Sequence, residues 1–254
     1  MGRMLDGFID LTITSPPYDG MRKYNGYSFP FEKIADELYR ITKDGGVLIW
    51  VVGDATKEGS ESGTSFRQAL YFQQIGFKIH DTMIFAKNSM VLTHNRYEQD
   101  FEFMFVFSKG KPKTFNPLTV KTQEAGRVKK YNYVTGTTNE KGAATRSGMD
   151  RQVTVKETKY RGNIWFYPVG SNCSSKDEIA FKHPAIFPEQ LAADHIYSWS
   201  NEGELVYDCF AGSGTTLKMA HLQKRNWIGS EISKEYVELA EKRLKPYLAQ
   251  MTMF

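Results

Sequence analysis

Cysteine is scarce in this sequence: the only two, Cys173 and Cys209, have no metal-like spacing, which excludes a disulfide-stapled fold and a cysteine-built zinc site and fits a reducing compartment. No uninterrupted apolar run approaches the roughly 18 residues that a bilayer span needs, and the start shows no apolar stretch ahead of a small-residue cleavage site. The expected location is cytoplasmic. Charge of one sign is also in short supply, since 33 Lys and Arg against 29 Asp and Glu leave a formal net charge of +4. Any affinity for nucleic acid must therefore come from local clustering. A length of 254 residues suits one α/β domain with an insertion.

What is present alternates between strand and helix at both ends of the chain. Residues 8–14 read as a short apolar strand. Phe31, Ile34, Leu38 and Ile41 recur at helical spacing, and Asp44-Gly45-Gly46 is expected to stop that helix before a buried strand, Val47 to Val52. Residues Ser65 to Ile75 read as a helix stopped by Gly76, followed by a strand from Lys78 to Phe85. Between Phe101 and Ser108 the phenylalanines fall on alternate positions, which marks a core strand rather than a catalytic stripe. The pattern resumes with Asn163 to Tyr167, a helix from Pro188, a strand at Leu205 to Tyr207, a helix from Thr215 to Gln223 and a strand from Trp227 to Glu231. Ser233 is expected to cap a last helix reaching Leu244. This alternation predicts a doubly wound, mainly parallel sheet.

The middle differs. Residues 109–161 hold 13 Lys and Arg against 4 Asp and Glu and show little apolar periodicity. Three parts are expected: 1–108 as one half of an α/β core, 109–161 as a basic insertion, and 162–254 as the second half.

Two segments carry chemistry. In doubly wound sheets ligands sit beyond the carboxyl ends of the strands, where glycines let backbone N–H groups approach them. Asp208, Phe210, Ala211, Gly212, Ser213, Gly214 and Thr215 follow such a strand. The Lys of a triphosphate-binding loop is absent, so a zwitterionic methionine moiety suits this loop better. Glu231, at the end of the next strand, is expected to accept the two ribose hydroxyls of the same ligand. Ser15-Pro16-Pro17-Tyr18 ends the first strand. An exocyclic base amine is a poor nucleophile because its lone pair is delocalised into the ring. A hydroxyl oxygen and a backbone carbonyl, each accepting one N–H, favour a pyramidal nitrogen, and consecutive prolines remove competing donors. Ser15 and the Pro16 carbonyl can serve so, with Tyr18 stacking on an extruded base. Asp54 is expected either to hydrogen-bond Ser15 and improve it as an acceptor or to be a solvated strand-end carboxylate.

With these motifs the chain resembles the beta-class DNA N4-cytosine/N6-adenine methyltransferases over nearly its whole length. Residues 14–18 match their catalytic motif in the Ser-Pro-Pro-Tyr form, and residues 210–216 match Phe-x-Gly-Ser-Gly-Thr-Thr. The family's His-Pro-x-x-x-Pro element appears as residues 183–188. The resemblance implies a Rossmann-like fold, S-adenosylmethionine as cofactor, and His183 and Phe187 beside its methionine group. The substrate it implies is a flipped base in double-stranded DNA, as in restriction-modification, in a prokaryotic or phage-infected cell. The serine form points to cytosine N4; adenine N6 and a catalytically silent DNA-binding protein of the same fold are the alternatives. No metal is expected, and a homodimer is compatible. The basic insertion corresponds to the family's target-recognition region, with Lys129, Lys130, Tyr131 and Tyr133 as its densest group, and Arg22 and Lys23 are candidates for closing over the base. Two departures stand out: Cys209 replaces a proline, and only residues 1–14 precede Ser15 where the family has a further strand and helix, so the sheet is expected to lack an edge strand or the chain to be shortened at its start.

Overall fold

The computed structural model describes residues 1–17, 29–88, 96–138 and 144–250. Its first strand, β1 (Ile9–Thr14), is buried at every position but Asp10, as a central strand covered on both faces must be. Helix α1 (Phe31–Ile41) turns Ala35, Leu38 and Ile41 inward and leads directly into β2 (Thr42–Val52). A small hairpin, β3 (Thr56–Lys57) with β4 (Ser60–Glu61), precedes α2 (Thr64–Gln74), β5 (Lys78–Ala86) and β6 (Phe101–Ser108).

Asp44-Gly45-Gly46 does not stop α1. The helix ends at Ile41 because Thr42 is already extended (φ −73°, ψ 132°). The glycines instead form a bulge inside β2: its pairing with β1 jumps from Ile9 opposite Thr42 to Leu11 opposite Val47. Gly45, at φ +80°, turns its N–H to the Lys109 carbonyl.

Two compact units follow from the contacts, residues 1–116 with 163–254, and residues 117–162. The second unit contains β7 (Thr119–Lys121), β8 (Val128–Thr138), β9 (Ala144–Thr154) and β10 (Thr158–Tyr160). β8 and β9 pair antiparallel from Val128 opposite Thr154 to Thr138 opposite Ala144, and β7 pairs with β10, so the unit is a long two-stranded ribbon. Residues 109–116 belong to the first unit. There Asn116 donates to the carbonyls of Tyr197 and Ser200, at 3.0 and 3.3 Å. On the return, the Asn163 carbonyl accepts from the Ile84 N–H and its side chain donates to Asp81.

The first unit continues with β11 (Ile164–Phe166), a 3-10 helix (Glu178–Lys182), α3 (Glu189–Trp199), β12 (Leu205–Asp208), α4 (Thr215–Leu222), β13 (Asn226–Gly229) and α5 (Lys234–Gln250). α5 runs past Leu244 through Pro246, and Ser233 accepts with its backbone carbonyl from Val237 at the start. Seven strands form one sheet in the order β11-β5-β6-β2-β1-β12-β13. All neighbours are parallel except β6, which runs antiparallel to both β2 and β5. The sheet ends at β13; among the described residues no strand lies beyond it. From the adjacent pair β1 and β12 the chain winds outward in both directions, through α1 to β2 and through α4 to β13. Right-handed crossovers then place α1 and α4 on opposite faces. The larger core packs Trp50, Phe72, Phe77 and Phe107 under α1 and α2; a smaller one packs Ala211 and Leu217 against Ala240 and Leu244 of α5.

Gly76 ends α2 at φ +116°, and a Cβ there would lie 2.7 Å from the Tyr39 hydroxyl, on a ring packed against Phe77. Gly203, also at positive φ, faces open space. In urea unfolding Gly76→Ala should lose about 2–4 kcal/mol and Gly203→Ala about 1 kcal/mol, the difference being the clash with Tyr39.

Candidate active site

β1 and β12 are parallel neighbours with Thr12 opposite Tyr207, so residues 15–17 and 209–214 leave the sheet side by side at its carboxyl edge. A buried bond closes this junction: Thr14 Oγ1 donates to Asp208 Oδ1 at 2.7 Å. The same carboxylate oxygen accepts the Phe210 N–H at 3.0 Å, turning the chain into the glycine loop. Burial pushes the Asp208 carboxyl up to about 6, against the lowering effect of hydrogen bonds from Thr14, Thr216 and the Phe210 amide. Cys209, where the resemblance leads one to expect proline, is buried and donates to Thr14 Oγ1 at 3.6 Å. Burial raises its thiol well above the ordinary range, so it is inert packing.

The glycine loop is built for close approach. Gly212 and Gly214 have φ of +50° and +78°. A Cβ on Gly212 would lie 3.0 Å from His183 Nε2, and one on Gly214 would press on Ala240 and Leu244 at 3.2 Å. His183 is buried, its Nδ1 engages the backbone of Ala185, and its ring stands edge-on to Tyr236 at 4.3 Å. Phe187 is half-buried in the segment that follows. Phe210 packs against Phe29, with ring centroids 5.6 Å apart. Glu231 accepts the Gly212 N–H on Oε2 and the Ser233 N–H on Oε1, both at 2.9 Å, which aims the carboxylate across the mouth of the loop. Each oxygen keeps a further acceptor position, and together they are the acceptor pair that the two hydroxyls of a ribose diol require. Positive-φ glycines, a carboxylate held by backbone N–H groups and a histidine against the loop fit a nucleoside bearing an amino acid.

The hydroxyls of Ser213 and Thr215 turn inward, however, and meet the guanidinium of Arg243 at 3.1 and 3.0 Å. Any part these two residues take in holding a ligand therefore falls to their backbone. Sequence reasoning missed Arg243 and its companions Asp177, Glu189 and Lys218. A signal was available: Arg243 interrupts the apolar stripe of Ala240 and Leu244 on α5, and Lys218 lies among the buried residues of α4.

Ser15 is half-buried and Pro16 buried directly beyond Thr14. Asp54 is buried too, two residues beyond the end of β2. It accepts from Ser62 Oγ at 2.9 Å, the Ser65 N–H at 3.0 Å and the Ser65 hydroxyl, and so caps the first turn of α2. Burial raises its carboxyl, and the Ser65, Ser62 and Thr64 bonds outweigh that and hold it below the usual range. It is a capping carboxylate rather than a solvated one. Tyr18, Arg22 and Lys23 lie outside the described residues. In the ribbon unit Lys129 pairs with Glu124, Lys130 is exposed, and Tyr131 and Tyr133 follow on β8.

A doubly wound sheet with Ser-Pro-Pro at one strand end and a glycine loop with its acceptor carboxylate beside it defines a Rossmann-like methyltransferase. The chain matches the DNA methylase family, N6_N4_Mtase, over residues 9–242, and it belongs to that family. It is a DNA methyltransferase, with S-adenosylmethionine as its methyl donor. It is 55% identical over 249 residues to the orphan methyltransferase M.BamHII of Bacillus amyloliquefaciens, covering 96% of this chain and 91% of the relative. Among solved structures it is similar to the PvuII DNA methyltransferase, described as cytosine-N4-specific, with a TM-score of 0.65 and 20% identity over 95% of this chain and 81% of that one. M1.HpyAVI in complex with SAM matches with a TM-score of 0.56 and 23% identity over 94% of this chain and 90% of that one. These two likenesses concern the fold. No helix among the described residues is long and apolar enough to cross a membrane.

Asp208 sets a pH signature. A carboxyl raised from 3.8 to about 6 in the fold costs stability as pH climbs through that interval, and the cost is complete above it. Asp208→Asn keeps the acceptor for Thr14 and Phe210 and escapes the cost. In urea unfolding it should gain on the wild type by up to roughly 3 kcal/mol between about pH 4 and pH 7; a difference that does not change with pH would mean the carboxyl is not raised.

Proposed function

We propose that this DNA methyltransferase methylates the N4 amino group of cytosine in double-stranded DNA, on a base turned out of the helix. The observation that carries the reading is the fixed placement of Ser15-Pro16 against the cofactor loop through the bond from Thr14 to Asp208. S-adenosylmethionine, when bound, supplies a methyl group on a sulfonium centre. Glu231 would hold its ribose diol, and the backbone of residues 210–215 together with His183 and Phe187 would hold the rest. Ser15 Oγ and the Pro16 carbonyl would accept the two N–H groups of the base amine and orient its lone pair toward the methyl group. Because Pro16 and Pro17 have no N–H, no backbone donor at either position competes for the amine. The serine at the head of the motif favours cytosine over adenine, and the cytosine-N4 specificity in the name of the PvuII relative agrees with that choice.

The ribbon of residues 117–162 is proposed as the element that binds DNA around the target. A two-stranded ribbon is of a size that the major groove admits. Lys130 is the better placed phosphate ligand, since Lys129 already has a carboxylate partner in Glu124.

Two measurements test the reading. Plasmid DNA incubated with labelled S-adenosylmethionine and digested to nucleosides should carry the label on N4-methyl-2′-deoxycytidine; label on N6-methyl-2′-deoxyadenosine would replace cytosine by adenine, and no label would favour a silent protein. In the same assay Ser15→Ala should lower turnover by about a hundredfold or more while S-adenosylhomocysteine still binds, because the lost acceptor matters chiefly in the transition state. On the ribbon, Lys130→Ala should weaken DNA binding and reduce the salt slope by about one, with a smaller change for Lys129→Ala. An unmoved slope would take these lysines off the phosphates.

A further inference from the structure

Arg243 occupies the α5 stripe that packs on the glycine loop, and its side chain is fully buried. All of its nitrogens are engaged. Nε donates to Asp177 Oδ2 at 2.8 Å; Nη2 donates to Glu189 Oε1 at 2.6 Å and Ser175 Oγ at 3.2 Å. Nη1 faces the glycine loop and donates to the Ser213 carbonyl at 2.9 Å, Ser213 Oγ at 3.1 Å and Thr215 Oγ1 at 3.0 Å. Lys218 bridges the same two carboxylates at 2.8 Å each, so two cations face two anions and no buried charge is left over.

The sequence positions of these partners give the cluster its meaning. Asp177 immediately precedes the 3-10 helix that ends against His183, and Glu189 is the first residue of α3, just beyond Pro188. The segment that carries His183 and Phe187 is thus held at both ends by the guanidinium that also holds the loop of Gly212 and Gly214. His183 Nε2 is 3.0 Å from where a Gly212 Cβ would stand, so a small shift of either segment changes the slot between them.

We infer that Arg243 is a positioning residue for the cofactor, which fixes the spacing between the glycine loop and the His183 segment without touching the cofactor itself. The inference rests on the cofactor site described above. Only arginine offers a planar fork able to serve both segments at once; a lysine keeps the charge and loses the geometry.

The test compares Arg243→Lys with Phe72→Leu, a substitution in the larger core beneath α2. S-adenosylhomocysteine affinity is measured by calorimetry, melting temperature in parallel, and kcat and KM with saturating DNA. Arg243→Lys should weaken S-adenosylhomocysteine binding by about tenfold and raise the KM for S-adenosylmethionine to match, with kcat nearly unchanged. Phe72→Leu should lower the melting temperature and leave that affinity as it is. Thr215→Val, which removes one acceptor of the guanidinium, supplies a second arm should Arg243→Lys not fold, and should weaken binding several-fold. If Arg243→Lys or Thr215→Val loses stability with unchanged affinity, or if affinity falls equally in Phe72→Leu, the arginine is only a structural ion and the inference fails. A wild-type protein that does not bind S-adenosylhomocysteine would remove the cofactor site itself, and the clamp with it.

Discussion

The bond between Thr14 and Asp208 joins residues 194 positions apart, and the active-site arrangement depends on it. Backbone pairing between β1 and β12 brings the two segments into line, and the side chains at the ends of those strands direct how the chain first leaves the sheet. Thr14 fixes the start of Ser-Pro-Pro, and Asp208, through the Phe210 amide, fixes the start of the glycine loop. The raised carboxyl is the cost of placing that junction where water is excluded. A hydroxyl, two backbone turns and a buried acid are thereby joined, and the Ser-Pro-Pro segment is tied to the glycine loop.

Much of this was legible in the sequence because the relevant signals are local. The spacing of Phe31, Ile34, Leu38 and Ile41 marked α1 as a helix, though not where it stops, and the alternate phenylalanines of β6 are sheet core as expected, with Phe105 and Phe107 buried. The glycine motif announced a loop at a strand end, and Glu231 was found at the mouth of that loop through its distance from Asp208. The order of the motifs along the chain, together with their chemistry, was enough to reach the family.

What was missed depends on contacts between distant parts of the chain. Asp44-Gly45-Gly46 has the composition of a helix stop, yet the bulge it forms is imposed by strand pairing with β1 and by the Lys109 carbonyl. Asp54 lies two residues beyond β2, and its bonds to Ser62 and Ser65 at the start of α2 are contacts that the reading of a strand-end carboxylate did not include. The cluster around Arg243 draws on four separate elements, so no window of sequence contains it. Cys209 shows the opposite case: a departure from the usual proline that the structure absorbs as buried packing.

The ribbon unit begins one residue after Asn116 and ends one residue before Asn163, and both asparagines are bonded into the first unit. The chain thus leaves and re-enters the methyltransferase core at two anchored points, and every element that builds the junction and the cofactor slot lies outside the interval. Recombination with breakpoints at these asparagines would exchange residues 117–162 as a cassette. With the ribbon as the proposed DNA-reading element, lineages carrying this core could then change the DNA sequence they address by gene shuffling while inheriting the rest of the fold intact.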